Sequence, residues 1–232
     1  MHTERWGTGP RRALLIHGVT SSAATMWELG EGLAASGWSA VAVDLPGHGE
    51  SGPASSYRFA DVAASVASEV GAGWDLVLAH SLGGAVAVQL LEPSFATRAL
   101  FVDPALVVSD DVADGLAPEL EQDQIAQTEA SVAAANPHWH PRTVAERVRS
   151  TQATSVEAVR GYASDNRPWD VREQARAVTV PVHVLVPTDG PVVSSALVDE
   201  LSGKFWTFET VADTGHSVHR DRPELVVERA VQ

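Results

Sequence analysis

Short apolar runs rich in β-branched residues recur along the chain. Six of them, residues 13–17, 40–44, 76–79, 99–103, 181–186 and 205–211, have the length and composition of buried strands. Between most of them lie stretches whose apolar positions return every three or four residues. These are 26–36, 59–70, 82–91, 194–201 and 223–231, and each predicts a helix with one buried face. Strands that are apolar on both faces, alternating with helices, predict a parallel sheet covered on both sides.

One segment departs from this rhythm. From about residue 105 to 176 no strand is predicted. Asp, Glu, Gln and Ala stand there in helix-forming proportion, with breaks at Asn136-Pro137, His140-Pro141 and Arg167-Pro168. The expected organisation is therefore a core made of residues 1–104 and 177–232, with residues 105–176 as a helical insertion. An insertion at the carboxyl ends of parallel strands lies where such sheets bind ligands, so it is expected to form a cap, or lid.

The stretch Leu76–Ala85, "LVLAHSLGGA", runs an apolar strand into Ser81 and leaves as a helix of small residues. A strand, turn and helix of this kind present a serine hydroxyl above the sheet in a sharp turn, usually as Gly-x-Ser-x-Gly. Here Ala79 takes the place of the first glycine, one methyl larger. The Leu82 N–H at the start of the helix is available to a developing oxyanion. The same serine as a plain helix cap is the competing account. Upstream, "LLIHGVTSSAATMW" (14–27) is a strand followed by His-Gly and a Ser/Thr-rich turn, from which the Val19 N–H can face the same oxyanion. "VAVDLPGHGES" (41–51) is a strand and a tight turn, and His48 is read as bracing that turn. Near the end, "VADTGHSVHRDRPE" (211–224) puts His216 after a strand and a glycine, in reach of Ser81 as a general base. His219 competes for that role, but its charged neighbours suggest a solvated position.

These landmarks, in this order over residues 13–232, resemble the α/β-hydrolase superfamily. The resemblance implies an α/β fold with a mostly parallel central sheet, flanking helices and a helical cap. It also implies a serine hydrolase of esterase or lactonase type, with Ser81 as nucleophile, His216 as base, and the Val19 and Leu82 N–H groups as oxyanion hole. The short N-terminus implies that at least one early antiparallel strand is missing or vestigial. Relatives that use an Asp nucleophile, such as dehalogenases and epoxide hydrolases, are set aside by Ser81.

Two carboxylates compete for the acid of the triad. Most members of the superfamily carry it after the seventh strand as Gly-x-x-Asp. In "VPTDGPVV" (186–193), Asp189 stands one residue short of that spacing, within an ordinary turn sequence. Asp103 ends the preceding strand, immediately before Pro104, where some lactone hydrolases and lipases carry the acid. A carboxylate at the end of a buried strand needs a partner, and His216 is one. Asp103 is therefore preferred, with Asp189 as the alternative.

Charge and composition narrow the partners. A net charge of −14 without a Lys/Arg cluster excludes a nucleic-acid backbone as partner. The absence of cysteine excludes disulfides and thiolate zinc sites. No membrane-spanning run, signal peptide, phosphate loop or dinucleotide fingerprint is found, so the expectation is a cytoplasmic monomer or homodimer acting on a small ester or lactone without a cofactor. His138 and His140 lack a third ligand for a metal. Trp139, Trp169 and Trp27 are the candidates to line an apolar pocket. The alternatives within the same fold are a carbon–carbon hydrolase, an elimination enzyme similar to menaquinone-pathway synthases, and a non-catalytic small-molecule binding module.

Overall fold

The computed structural model describes residues 1–232. Its strands are β1 (Thr3–Trp6), β2 (Arg11–Ile16), β3 (Trp38–Val43), β4 (Leu76–His80), β5 (Ala99–Val102), β6 (Val107–Val108), β7 (Trp169–Asp170), β8 (Val182–Pro187) and β9 (Trp206–Val211). The helices are α1 (Trp27–Ala35), α2 (Phe59–Val70), α3 (Leu82–Ala87), α4 (Asp110–Ala126), α5 (Glu129–Ala135), α6 (Pro141–Ala153), α7 (Val156–Asp165), α8 (Arg172–Ala177), α9 (Ser195–Leu201), α10 (Val218–Asp221) and α11 (Pro223–Val231).

Seven strands form one sheet in the order β1-β3-β2-β4-β5-β8-β9. Every pairing is parallel except that of β1 with β3. All six predicted strands are present. β1 was not predicted: its sequence, Thr-Glu-Arg-Trp, carries two charges and has no buried residue, as suits an edge strand. One antiparallel strand is thus retained at this edge.

Side chains of the central strands alternate between two cores, as the pleat requires. Leu14 and Ile16 of β2 join Phe59, Val62 and Val66 of α2 on one face. Ala13 and Leu15 join Leu29 and Leu33 of α1 and Val226 of α11 on the other. Gly83 is required in α3 because a β-carbon there would stand 2.4 Å from the Ile16 carbonyl oxygen. That close approach seats the helix against the end of β2.

Between β5 and β8 the chain forms α4 to α8 and a small antiparallel ribbon of β6 with β7. The ribbon is two residues per strand, too short to leave a periodic signal. The helices are tied to the sheet side by specific bonds. Arg147 Nη1 donates to the Thr20 carbonyl at 2.8 Å and to its hydroxyl at 2.6 Å. Asn166 accepts from the Phe59 N–H at 2.8 Å and donates to the Tyr57 carbonyl at 2.9 Å. Buried donors and acceptors at this boundary are thereby satisfied. No helix is long and apolar enough to cross a membrane.

Phe101, fully buried on β5, packs edge-on against Trp206 at 5.9 Å between ring centroids. Phe101→Ala is expected to lower unfolding stability by about 3–5 kcal/mol through lost burial and the cavity left behind. Urea denaturation checks this, and a loss below about 1 kcal/mol would mean the core collapses freely around the site.

Candidate active site

The loops at the carboxyl ends of β2, β4, β5 and β9 meet over the sheet, beside the point between β2 and β4 where the strand order reverses and open α/β sheets bind ligands. Each contributes one group.

After β4 the backbone turns sharply at Ser81, with φ 51° and ψ −120°. A non-glycine residue held at positive φ carries strain that its surroundings must hold in place. Ser81 N–H donates to the Val102 carbonyl at 3.2 Å, and its carbonyl accepts from Gly84 at 2.8 Å and Ala105 at 3.0 Å. These bonds lock the turn. Ala79 is fully buried and tolerated where glycine is usual. Leu82 N–H, at the first position of α3, and Val19 N–H, in the turn after β2, have no acceptor within the protein. Both residues line the same cavity as Ser81.

After β5, Asp103 has no exposed surface. One of its oxygens stands 2.6 Å from His216 Nδ1. The carboxylate also accepts from the N–H groups of Val192, at 3.0 and 3.1 Å, and Val193, at 3.0 Å. An ionised carboxylate only accepts, so Nδ1 carries the ring proton and Nε2 presents a lone pair. Asp189 lies elsewhere. It is exposed on the turn after β8, where its N–H donates to the Thr214 carbonyl at 3.1 Å. The loop from Pro187 to Val193 therefore contributes two backbone donors to Asp103, and the Asp189 carboxylate makes no contact with His216.

His216 follows β9, and its ring is partly exposed into the cavity. Its carbonyl accepts from His80 Nε2 at 3.0 Å, which ties the histidine loop to the turn holding Ser81. His219 is buried, contrary to the solvated position expected for it. α10 turns it inward, where its ring packs at a tilt against His80 with centroids 4.3 Å apart, and neither of its nitrogens finds a partner. Arg220 is buried as well. The charged run "HRDR" masked this, because a helix of four residues is too short for periodicity to reveal its buried face.

The cavity has a volume of about 810 Å³. Ser81, His216 and Val19 line it, together with Leu116 of α4, Val132 of α5 and Arg147 of α6. Trp139 and Trp169 line it. Trp139 donates to Asp221 at 2.7 Å and Trp169 to the Ala105 carbonyl at 2.7 Å, so both indoles are held by their polar edge. Trp27 does not line it. Its indole donates to Thr143 at 3.2 Å and its ring packs against His140 and Arg142, so it anchors α6 instead. His138 meets Asp221 and His140 caps α6, and no group of three metal-ligating side chains is assembled anywhere. His48, fully buried, donates from Nδ1 to the Pro46 carbonyl at 3.1 Å, inside its own turn.

The chain belongs to the alpha/beta hydrolase family, whose sequence profile matches residues 13–229. Two curated proteins of Mycobacterium tuberculosis are similar over part of their length. One, named as an esterase, is 35% identical over 106 residues, covering 43% of this chain and 35% of that protein. The other, lipase LipV, is 36% identical over 114 residues, covering 47% of this chain and 43% of that protein. The matches thus span less than half the length of either relative. Among solved structures, E-2-(acetamidomethylene)succinate hydrolase superposes with a TM-score of 0.82 at 23% identity, over 99% of this chain and 92% of that one. An esterase from Exiguobacterium antarcticum superposes with a TM-score of 0.80 at 18% identity, over 99% and 93%. These likenesses establish the fold.

The buried histidines give the molecule an acid sensitivity. Burial holds His17 down to about 4 and His48 down to about 3. Burial first, then neighbouring cationic groups, push His80 and His219 well below the usual histidine range. In the unfolded chain the same rings take up protons near pH 6.5, so between about pH 6.5 and 4 the unfolded chain binds more protons than the folded one. Stability is full above that window and falls as pH drops through it, by up to about 1.4 kcal/mol per ring per pH unit. The urea midpoint is expected to fall between pH 7 and pH 5, and less steeply in His48→Gln. A midpoint independent of pH over that range would contradict the burial of these rings as neutral groups.

Proposed function

We propose that the protein is a serine hydrolase cleaving a carboxylic ester or lactone of a small molecule, with Ser81 as nucleophile, His216 as base and Asp103 as acid. The observation that carries this reading is the 2.6 Å contact of His216 Nδ1 with a carboxylate that has no exposed surface. The contact holds one tautomer and leaves Nε2 basic, in a cavity shared with Ser81.

In the proposed reaction His216 Nε2 takes the Ser81 proton as Oγ bonds to the carbonyl carbon. The carbonyl electrons move onto its oxygen, which receives hydrogen bonds from the Val19 and Leu82 N–H groups. Collapse expels the alkoxide, which leaves as the alcohol with the proton from His216. In a lactone the alcohol stays joined to the acyl group. Water then gives its proton to His216 and attacks the acyl-enzyme. Breakdown releases the acid and returns the proton to Ser81. Asp103 stays ionised throughout and stabilises the imidazolium.

Residues 105–176 act in this reading as the cap that encloses the acyl or alcohol group. Support comes from the position of α4 to α6 around the cavity and from its volume, which suits a small ligand. The esterase and lipase named among the partial relatives agree with ester hydrolysis.

Turnover of p-nitrophenyl esters, with loss of activity in Ser81→Ala, tests the reaction. The acid is tested in the same assay. Asp103→Asn is expected to lower kcat by roughly two to four orders of magnitude through the wrong tautomer of His216. Asp189→Asn is expected to stay within a few-fold of the unmodified protein. The reverse pattern would transfer the role to Asp189.

A further inference from the structure

Arg220 is 6% exposed and lines the cavity that holds Ser81 and His216. A buried guanidinium ordinarily has a carboxylate partner, because an uncompensated charge in the interior is costly. Arg220 has none. Its only side-chain hydrogen bond runs from Nη2 to the Ser21 hydroxyl at 3.0 Å, and its Nε has no partner at all. The adjacent Asp221 is turned to other donors: Trp139 at 2.7 Å, His138 at 3.2 Å and the Gly215 N–H at 3.0 Å. The Trp139 ring lies 5.5 Å from the Arg220 guanidinium carbon and supports the charged group from within the cavity.

The other charges on the cavity wall do not supply the missing anion. Asp123 pairs with Arg147 at 3.6 Å. Glu119 is exposed on α4, and its field acts on Arg147. Glu28 stands outside the cavity lining, where it accepts from the Thr143 hydroxyl at 2.7 Å; its field and that of Asp221 reach Arg220, but neither carboxylate is in contact with the guanidinium. Arg147 itself spends its Nη1 on Thr20, so it adds positive field and no free donor at that nitrogen. Of the two arginines that line the cavity, Arg147 is paired with a carboxylate and Arg220 is not.

We infer that the substrate carries a carboxylate, and that Arg220 is the residue that binds it. The planar N–H fork of arginine matches a carboxylate and discriminates against the uncharged isostere. A single unpaired cation balances a single negative charge, which favours a carboxylate over a doubly charged phosphate monoester. The inference rests on the hydrolase reading above for the ester bond, but the carboxylate site itself is testable without turnover.

Two pairs of esters isolate the charge. p-Nitrophenyl hemiglutarate against its methyl-capped form places it in the acyl half. 4-Carboxyphenyl butyrate against its methyl ester places it in the alcohol half. In at least one pair the acid is expected to be preferred by about 10-fold or more in kcat/KM, the size of one charge-assisted contact. Arg220→Gln is expected to remove that preference and Arg220→Lys to keep part of it. Using the ratio within each pair cancels any effect of losing the Ser21 bond. Neutral esters turned over with no acid preference in either pair, or a preference unchanged in Arg220→Gln, would overturn the inference while sparing the hydrolase reading. If no ester is turned over, that reading fails instead. Calorimetric titration with glutarate then decides the carboxylate site: binding lost in Arg220→Gln supports it, and no binding to the unmodified protein overturns it.

Discussion

The hydrogen bond between Asp103 and His216 joins the ends of two separate strands and sets the arrangement of everything around it. A carboxylate without exposed surface is costly unless donors surround it. Asp103 meets three, from His216, Val192 and Val193. Removing any one leaves charge less compensated in the interior, so the loop after β8 and the loop after β9 are both bound to the end of β5. Asp103 itself stands at φ 40°, a strained conformation accepted where the strand must stop and turn its carboxylate inward.

The same economy of space governs the serine. Ser81 is held at positive φ because α3 must start at once, and Gly83 lets that helix approach β2 closely. The turn after β2 is held from the opposite side. Thr20, also at positive φ, receives Arg147 from α6, and Ser21 receives Arg220 from α10. The segment bearing the Val19 N–H is thus clamped between the helical insertion and the histidine loop. Any movement of α6 would be felt at the segment that bears the Val19 N–H.

Much of this was legible in the amino-acid sequence for a physical reason. Buried parallel strands are continuous apolar runs, and the turn at Ser81 demands small residues at fixed offsets. The six sheet strands and the serine turn therefore announce themselves. The preference for Asp103 rests on the resemblance, since some relatives carry the acid after this strand, together with the cost of burying a carboxylate without a partner. What stayed hidden depends on tertiary contact. β1, β6 and β7 are short or polar, and only pairing makes them strands. Trp27 reads as a pocket residue until α6 is seen to pack on it. His219 and Arg220 read as solvated because charge dominates "HRDR", and nothing local reveals that α10 turns both inward. Arg220, a cavity-lining cation without a carboxylate partner, is thereby hidden among the charges of its own segment.

The central claim, that Asp103 and no other carboxylate fixes the proton on His216 Nδ1, is tested most directly by proton and nitrogen-15 NMR of the imidazole. The account predicts a strongly downfield N–H proton bonded to Nδ1 of His216, present in the unmodified protein and in Asp189→Asn, and lost in Asp103→Asn. A downfield proton that survives Asp103→Asn, or one bonded to Nε2, would contradict it.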